Sequence, residues 1–345
     1  MQMNMILAVI LLVGGLAILW TCAELLVTGA VGLARRLGIS SLVIGLTVVA
    51  MGTSAPELAA SIAGVLRKTG EGGNIAIGNV FGSNIANLAL VGGLVALIRP
   101  LMVKRQTLCR EIPVMILMGL LLWPFLRDSH LARLEALALL AVFAVLILIT
   151  IHLARKESVQ NSNKKAQPNR LAAENADDSE IITRASGDGI KSGEGKKNVL
   201  FIVIGLIGLA VGAKMAVEGA VFIGKEIGLS ESVIALTIIA FGTSLPELVT
   251  CVVAAVKGHH DISVGNLVGS NIFNTLLVVG GAGIVLPFDM ERRFAGGADY
   301  WIMIIVSAAF ALAIVLGKHI IGRISGTLLL CGYVGYLVYL FGYSG

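Results

Sequence analysis

The stretch GLTVVAMGTSAPELAASI, residues 45–62, decides the fold because it recurs as ALTIIAFGTSLPELVTCV at 235–252, with nine identities in 18 at an offset of 190. A second stretch, NIAIGNVFGSNIANLALVGG at 74–93, recurs as DISVGNLVGSNIFNTLLVVG at 261–280, with eleven identities in 20 at an offset of 187. All four lie in apolar runs of about the length a hydrocarbon core requires. Working outward, ten such runs read as spans at 5–33, 40–66, 74–98, 111–126, 131–153, 199–224, 231–256, 261–286, 298–317 and 320–343. The first copy occupies spans 2 and 3, the second spans 7 and 8. Five spans separate them, an odd number, so the copies cross the membrane in opposite directions. That is an inverted-topology repeat.

Composition agrees. The 345 residues are 57% hydrophobic and 14% charged, against about 25% charged in a soluble domain. Forty-two glycines and only 6% aromatic residues favour closely packed helices over a lipid-facing barrel with aromatic girdles. The expected fold is an all-α polytopic membrane protein of ten helices in two inverted five-helix repeats, with helices 2 and 7 broken. Residues 1–153 form the first repeat and 199–345 the second. Between them, 154–198 has no aromatic residue and nine Lys/Arg against seven Asp/Glu, a composition that reads as a disordered linker.

The net charge of +5 sits mostly in loops, so it reports topology rather than nucleic-acid binding. The linker side carries eighteen Lys and Arg, the termini side seven. The positive-inside rule therefore puts the linker in the cytoplasm and both termini outside, in the cell (inner) membrane. Cys22, Cys109, Cys251 and Cys331 include no CxxC pair and read as apolar filler. No cofactor is expected, and no feature sets an oligomeric state beyond a possible monomer.

Glu57 and Glu247 stand near the middle of apolar spans, where an acid costs about 2.5–3.5 kcal/mol to insert. Such a residue is a functional-site hypothesis by default. Pro56 and Pro246 supply no N–H to the carbonyls of Gly52 and Gly242, so each span is expected to break at GTSxPE and present backbone oxygens to a cavity. A structural alternative stays open: Ser54 and Ser244, three residues before the acids, match a capping box. Asn79, Ser83 and Asn87 share one helix face, as do Asn266, Ser270 and Asn274. They serve either as ligands or as interhelical hydrogen bonds. Gly78/Gly82 and Gly265/Gly269 are expected to let helices approach closely. The donor set is hard oxygen, which suits Ca²⁺ and not a thiol- or imidazole-seeking metal. Two carboxylates balance one Ca²⁺, two Na⁺ or two protons.

Paired GTSxPE and GxxxGSNIxN motifs in two inverted halves resemble the cation/Ca²⁺ antiporter superfamily, and more narrowly a prokaryotic sodium/calcium exchanger. The resemblance covers the whole ten-span layout. It implies Ca²⁺ and Na⁺ as transported partners, not cofactors, exchanged by alternating access with no enzymatic chemistry. It places the central acids on Glu57 and Glu247, backbone-carbonyl ligands on Ala50, Thr53, Ala240 and Thr243, sodium-site hydroxyls on Ser83 and Ser270, and the mid-site polar pair on Asn87 and Asn274. Ser54 and Ser244 are implied to support ions through water or capping. Spans 1 and 6 resemble a long tilted pair that slides past the core. Some relatives carry an aspartate at one mid-site position, where this chain has Asn at both, so a third negative charge is missing. The alternatives are an H⁺-coupled Ca²⁺ (or other divalent cation) exchanger and, more distantly, a cation channel. An intramembrane hydrolase would need a Ser–His or paired-Asp site that the spans lack.

Overall fold

The computed structural model describes residues 4–67, 72–173, 192–228 and 240–344. Ten helical elements follow in order: α1 (Met5–Leu37), α2 (Ser41–Val65), α3 (Gly72–Ile98), α4 (Thr107–Leu126), α5 (Arg133–Ala173), α6 (Ser192–Glu226), α7 (Ala240–Thr243 and Leu245–Val256), α8 (His260–Val285), α9 (Ala298–Leu316) and α10 (Arg323–Ser344). The first part of expected span 7, 231–239, lies outside the described residues. Among those described, nine helices are long and apolar enough to cross a membrane, and the second piece of α7 is a shorter apolar helix. Each element coincides with a predicted span to within a few residues, except beside the linker.

There the structure corrects the expectation. α5 continues to Ala173 and α6 starts at Ser192, so both ends of the 154–198 segment are helical. Lys, Gln and Ala in 156–173 are good helix formers. An existing span also removes the nucleation cost, since propagation adds one hydrogen bond per residue.

The longest interface joins α1 to α6. Ala8, Gly15, Cys22 and Gly29 meet Gly219, Gly212, Gly205 and Asn198 in antiparallel order. A seven-residue spacing keeps both rows on one seam. A Cβ on Gly15 would sit 2.6 Å from Ala216 N, and one on Gly219 2.5 Å from Ala8 O, so only glycine permits this approach. Four other helices, α2, α3, α7 and α8, make the buried centre of the molecule. Two short antiparallel strand pairs flank it: β1 (Leu101–Met102) with β4 (Ile320–Ile321), and β2 (His130–Leu131) with β3 (Phe288–Asp289). The repeat relation exchanges these pairs, because β1 and β3 are 187 apart and β2 and β4 are 190 apart. It also matches Gly38 (φ 66°), which ends α1, with Gly228 (φ 86°), which follows α6. Both adopt the left-handed conformation that only glycine takes freely.

Candidate ion-binding site

The predicted breaks are small and alike. Ser54 (φ −82°, ψ 3°) interrupts α2, and Ser244 (φ −88°, ψ 4°) divides α7. Proline follows two residues later in each case, at the first turn of the next helical piece, where a missing N–H does no harm. Glu57 and Glu247 therefore start new half-helices, at the positive end of the helix dipole.

Neither serine makes a side-chain cap. A capping serine adopts extended backbone, whereas ψ near zero turns the hydroxyl elsewhere. Ser54 Oγ instead donates to Glu247 Oε1 at 3.3 Å, across the repeat boundary. The capping-box alternative is thus corrected, and the hydroxyl belongs to the opposite acid. Thr53 makes a second cross-repeat tie: its Oγ1 donates to Asn266 Oδ1 at 3.1 Å, with Ala50 O an alternative acceptor at 3.3 Å. Ala50 O also accepts the Ser54 N–H at 3.0 Å.

Both glutamates are fully buried. Neither Glu57 carboxylate oxygen has a protein hydrogen-bond partner, and nor does Glu247 Oε2. The same holds for the side chains of Asn87 and Asn274 and for the hydroxyls of Ser244 and Ser270, all buried. Buried polar atoms are normally paired, so this concentration of acceptors marks a place where the protein leaves room for another partner. Its chemistry is two carboxylates plus neutral oxygens, a fit for a hard cation. Among the described residues, no three His, Cys, Asp or Glu side chains gather as a metal-holding group. Nothing else in the donor set favours a soft metal.

Two features escaped the sequence reading. α3 turns π-helical at Ala86–Val91 and α8 at Asn274–Val278, so Asn87 and Asn274 each lie at the start of a widened turn. Such bulges recur at functional sites. Each packs on the acid-bearing half-helix of the other repeat: Leu245–Val256 on Ala86–Val91, and Ala55–Val65 on Asn274–Val278. Ser61 and Cys251, repeat equivalents, also matter. Asn79 Nδ2 donates to Ser61 Oγ at 2.9 Å and to Glu57 O at 3.1 Å, while Asn266 Nδ2 contacts Cys251 Sγ at 3.4 Å. The offset alone could have paired Ser61 with Cys251.

A cavity of about 530 Å³ runs from Arg67 and Asn74, on the side of the chain termini, to Asn79, Ser83 and Thr243. Ser83 thus faces the cavity, while its counterpart Ser270 is enclosed. The two glycine pairs divide in the same way. Gly265 and Gly269 press α8 onto α2, where a Cβ on Gly269 would lie 2.7 Å from Leu46 O. Gly78 and Gly82 border the cavity, and among the described residues nothing lies within 4 Å of a Cβ on Gly82. The expected close approach is seen for Gly265 and Gly269; the stretch 231–239, repeat counterpart of the α2 segment they press on, lies outside the described residues. Ala240, for its part, opens the short helical turn Ala240–Thr243.

Asn84 ties two helices together, whereas Asn271 bonds within its own. Asn84 Nδ2 donates to Thr275 Oγ1 at 3.1 Å, joining α3 to α8, and Asn271 Nδ2 bonds within α8 to Leu267 O at 3.1 Å. Lys214 and Glu218, four residues apart, pair at 3.8 Å within α6. Glu24 of α1 pairs with Lys257 at 3.2 Å.

Comparison with known proteins agrees with this arrangement. The family model described as "Sodium/calcium exchanger protein" matches twice, at 7–152 and 197–342, once for each half. The chain is 36% identical over 338 residues to the "Putative antiporter CaxA" of Alkalimonas amylolytica, covering 98% of this chain and 99% of that one. It is 33% identical over 349 residues to the "Sodium/calcium exchanger MaX1" of Methanosarcina acetivorans, covering 96% and 98%. Among solved structures, the sodium-calcium exchanger NCX_Mj superposes with a TM-score of 0.77 at 28% identity, covering 98% of this chain and all of that one. With each five-helix half matched by the same model, the chain belongs to the sodium/calcium exchanger protein family.

Proposed function

We propose that this protein exchanges Ca²⁺ for Na⁺ across the cell membrane by alternating access, with Glu57 and Glu247 holding the ions at mid-membrane. The observation that carries the reading is the pair of fully buried carboxylates, one from each repeat, whose oxygens lack protein partners apart from the Ser54–Glu247 bond. Ca²⁺ would take carboxylate oxygens from both acids. The Asn87 and Asn274 amides and the backbone oxygens of Ala50, Thr53, Ala240 and Thr243 would complete its shell. Ser83 and Ser270 would serve Na⁺, and Ser244 would support the site from behind. The names of the MaX1 and NCX_Mj relatives support Na⁺ as the counter-ion. The Lys/Arg distribution supports outward termini and a cytoplasmic linker.

A second reading follows from the charge count. With Asn at both 87 and 274, the site carries two negative charges, which two protons balance as well as two Na⁺. Either way, one Ca²⁺ would leave against two monovalent charges and the cycle would move no net charge. ⁴⁵Ca uptake into proteoliposomes under imposed Na⁺, K⁺ and pH gradients separates the readings. Uptake driven by a Na⁺ gradient alone supports the first and uptake driven by pH alone the second. Uptake indifferent to every counter-ion gradient removes the exchange reading.

A further inference from the structure

The repeat relation extends to charges outside the ion site. At the offset of 190, Glu24 corresponds to Lys214, and Arg67 to Lys257. An inverted repeat reaches its second access state when the two halves exchange conformations. A contact between positions 24 and 257 in one state therefore becomes a contact between 214 and 67 in the other. In this structure Lys257 Nζ lies 3.2 Å from Glu24 Oε1, tying the end of α7 to α1 on the closed side. The counterparts are apart in role: Lys214 pairs with Glu218 of its own helix, and Arg67 lines the open cavity. Closing that side would bring two cations together. A further tie between the repeats, at the ends of their helices, differs in kind. Lys104–Asp261 at 2.5 Å and its counterpart Glu291–Asn74 at 2.8 Å, related by 187, are both formed here, so that tie does not distinguish the states.

We infer that Glu24, Lys257, Lys214 and Arg67 form a charge-asymmetric latch, in which attraction seals the linker side, repulsion opposes sealing of the termini side, and the ion-free carrier rests open toward its termini. The inference rests on the alternating-access reading. Partly exposed ion pairs are worth little individually, so each half of the latch is expected to shift the resting distribution by about two- to fivefold.

The test uses the full chain in right-side-out vesicles, with Na⁺ and Ca²⁺ removed. Ala63→Cys, on the cavity wall, is labelled by a membrane-impermeant maleimide, with the rate corrected by the same variant lacking that cysteine. Glu24→Gln weakens the seal and should slow labelling about two- to fivefold. Lys214→Gln relieves the repulsion and should slow it similarly. Glu24→Lys combined with Lys257→Glu restores attraction and should recover the parental rate. Parental rates in both single variants, or a double variant no faster than Glu24→Gln, would overturn the latch. Ion flux in the same vesicles keeps the two ideas separate. Rates that move without any cation exchange count against the exchange reading alone, and exchange with unmoved rates counts against the latch alone.

Discussion

Gly82 and Gly269 occupy equivalent places in the two repeats but meet different surroundings, so one substitution at each probes the two access states separately. A methyl group on Gly269 would lie 2.7 Å from both Leu46 O and Ala50 Cβ, and 2.9 Å from Leu46 Cα. Backbone cannot swing aside as a flexible side chain can, so the helices must part. Overpacking of this kind costs about 1–3 kcal/mol, or about five- to 150-fold in an equilibrium. Among the described residues, a methyl group on Gly82 meets nothing within 4 Å. Gly269→Ala should therefore lower the thermal midpoint of the ion-free protein, followed by tryptophan fluorescence in detergent, while Gly82→Ala leaves it unchanged. Transport should show the converse burden for Gly82→Ala. If the halves exchange conformations as proposed, position 82 would take the packed environment that 269 has now. The substitution then penalises a state that every turnover must visit, and exchange measured with ⁴⁵Ca should slow by up to the same factor. If Gly82→Ala melted as low as Gly269→Ala, or exchanged Ca²⁺ at the parental rate while remaining thermally normal, the assignment of one open and one closed side would be wrong.

Three further outcomes are expected. Glu57→Gln and Glu247→Gln should each abolish Ca²⁺ transport while the melting curve stays cooperative, since each amide keeps the shape and removes the charge; full flux in either would take the carboxylate pair out of the mechanism. Asn274→Asp adds a third negative charge to the site and should turn an electroneutral cycle into one that moves charge, read as a membrane-potential dependence of ⁴⁵Ca uptake that the parent lacks. Deleting 160–190, inside the stretch that neither family match covers, should leave flux intact, and its loss in a well-expressed variant would give the linker a role in transport.

Most of the architecture could be read from the residues because the bilayer imposes length, and the duplication repeats the message. The acids were legible for the same reason: Glu57 and Glu247 are costly where they stand, and the cost appears twice. What could not be read depends on which neighbour a side chain meets. Ser54 satisfies a capping pattern in sequence, yet its hydroxyl goes to Glu247, 193 positions away. The π turns at Asn87 and Asn274 arise where helices of opposite repeats press together, and no local propensity announces them. Gly82 and Gly269 are the same residue in the same motif, so nothing in the sequence says that one faces a cavity and the other a backbone. The helical ends of 154–198 reflect propagation from a span, which composition cannot see.

On the proposed exchange cycle, coupling and resting orientation would have separate physical origins. An ionised carboxylate buried without a cation costs several kcal/mol even after relaxation, and here there are two, both fully enclosed. An unloaded site that closed with both charges in place would face a penalty on the order of 5–10 kcal/mol, enough to make empty transit rarer than loaded transit by at least about 10³-fold. On the proposed mechanism, any load that brings two positive charges would remove that penalty, so the site would exchange cations rather than leak them. The repeat makes the penalty the same on either side of the membrane, because the acids exchange places along with the halves. Preference for one side must then come from residues that break the symmetry, such as Glu24 against Lys214. Substitutions at 57 and 247 should change what is carried and how tightly turnover is coupled. Substitutions at 24, 67, 214 and 257 should change only where the empty carrier waits.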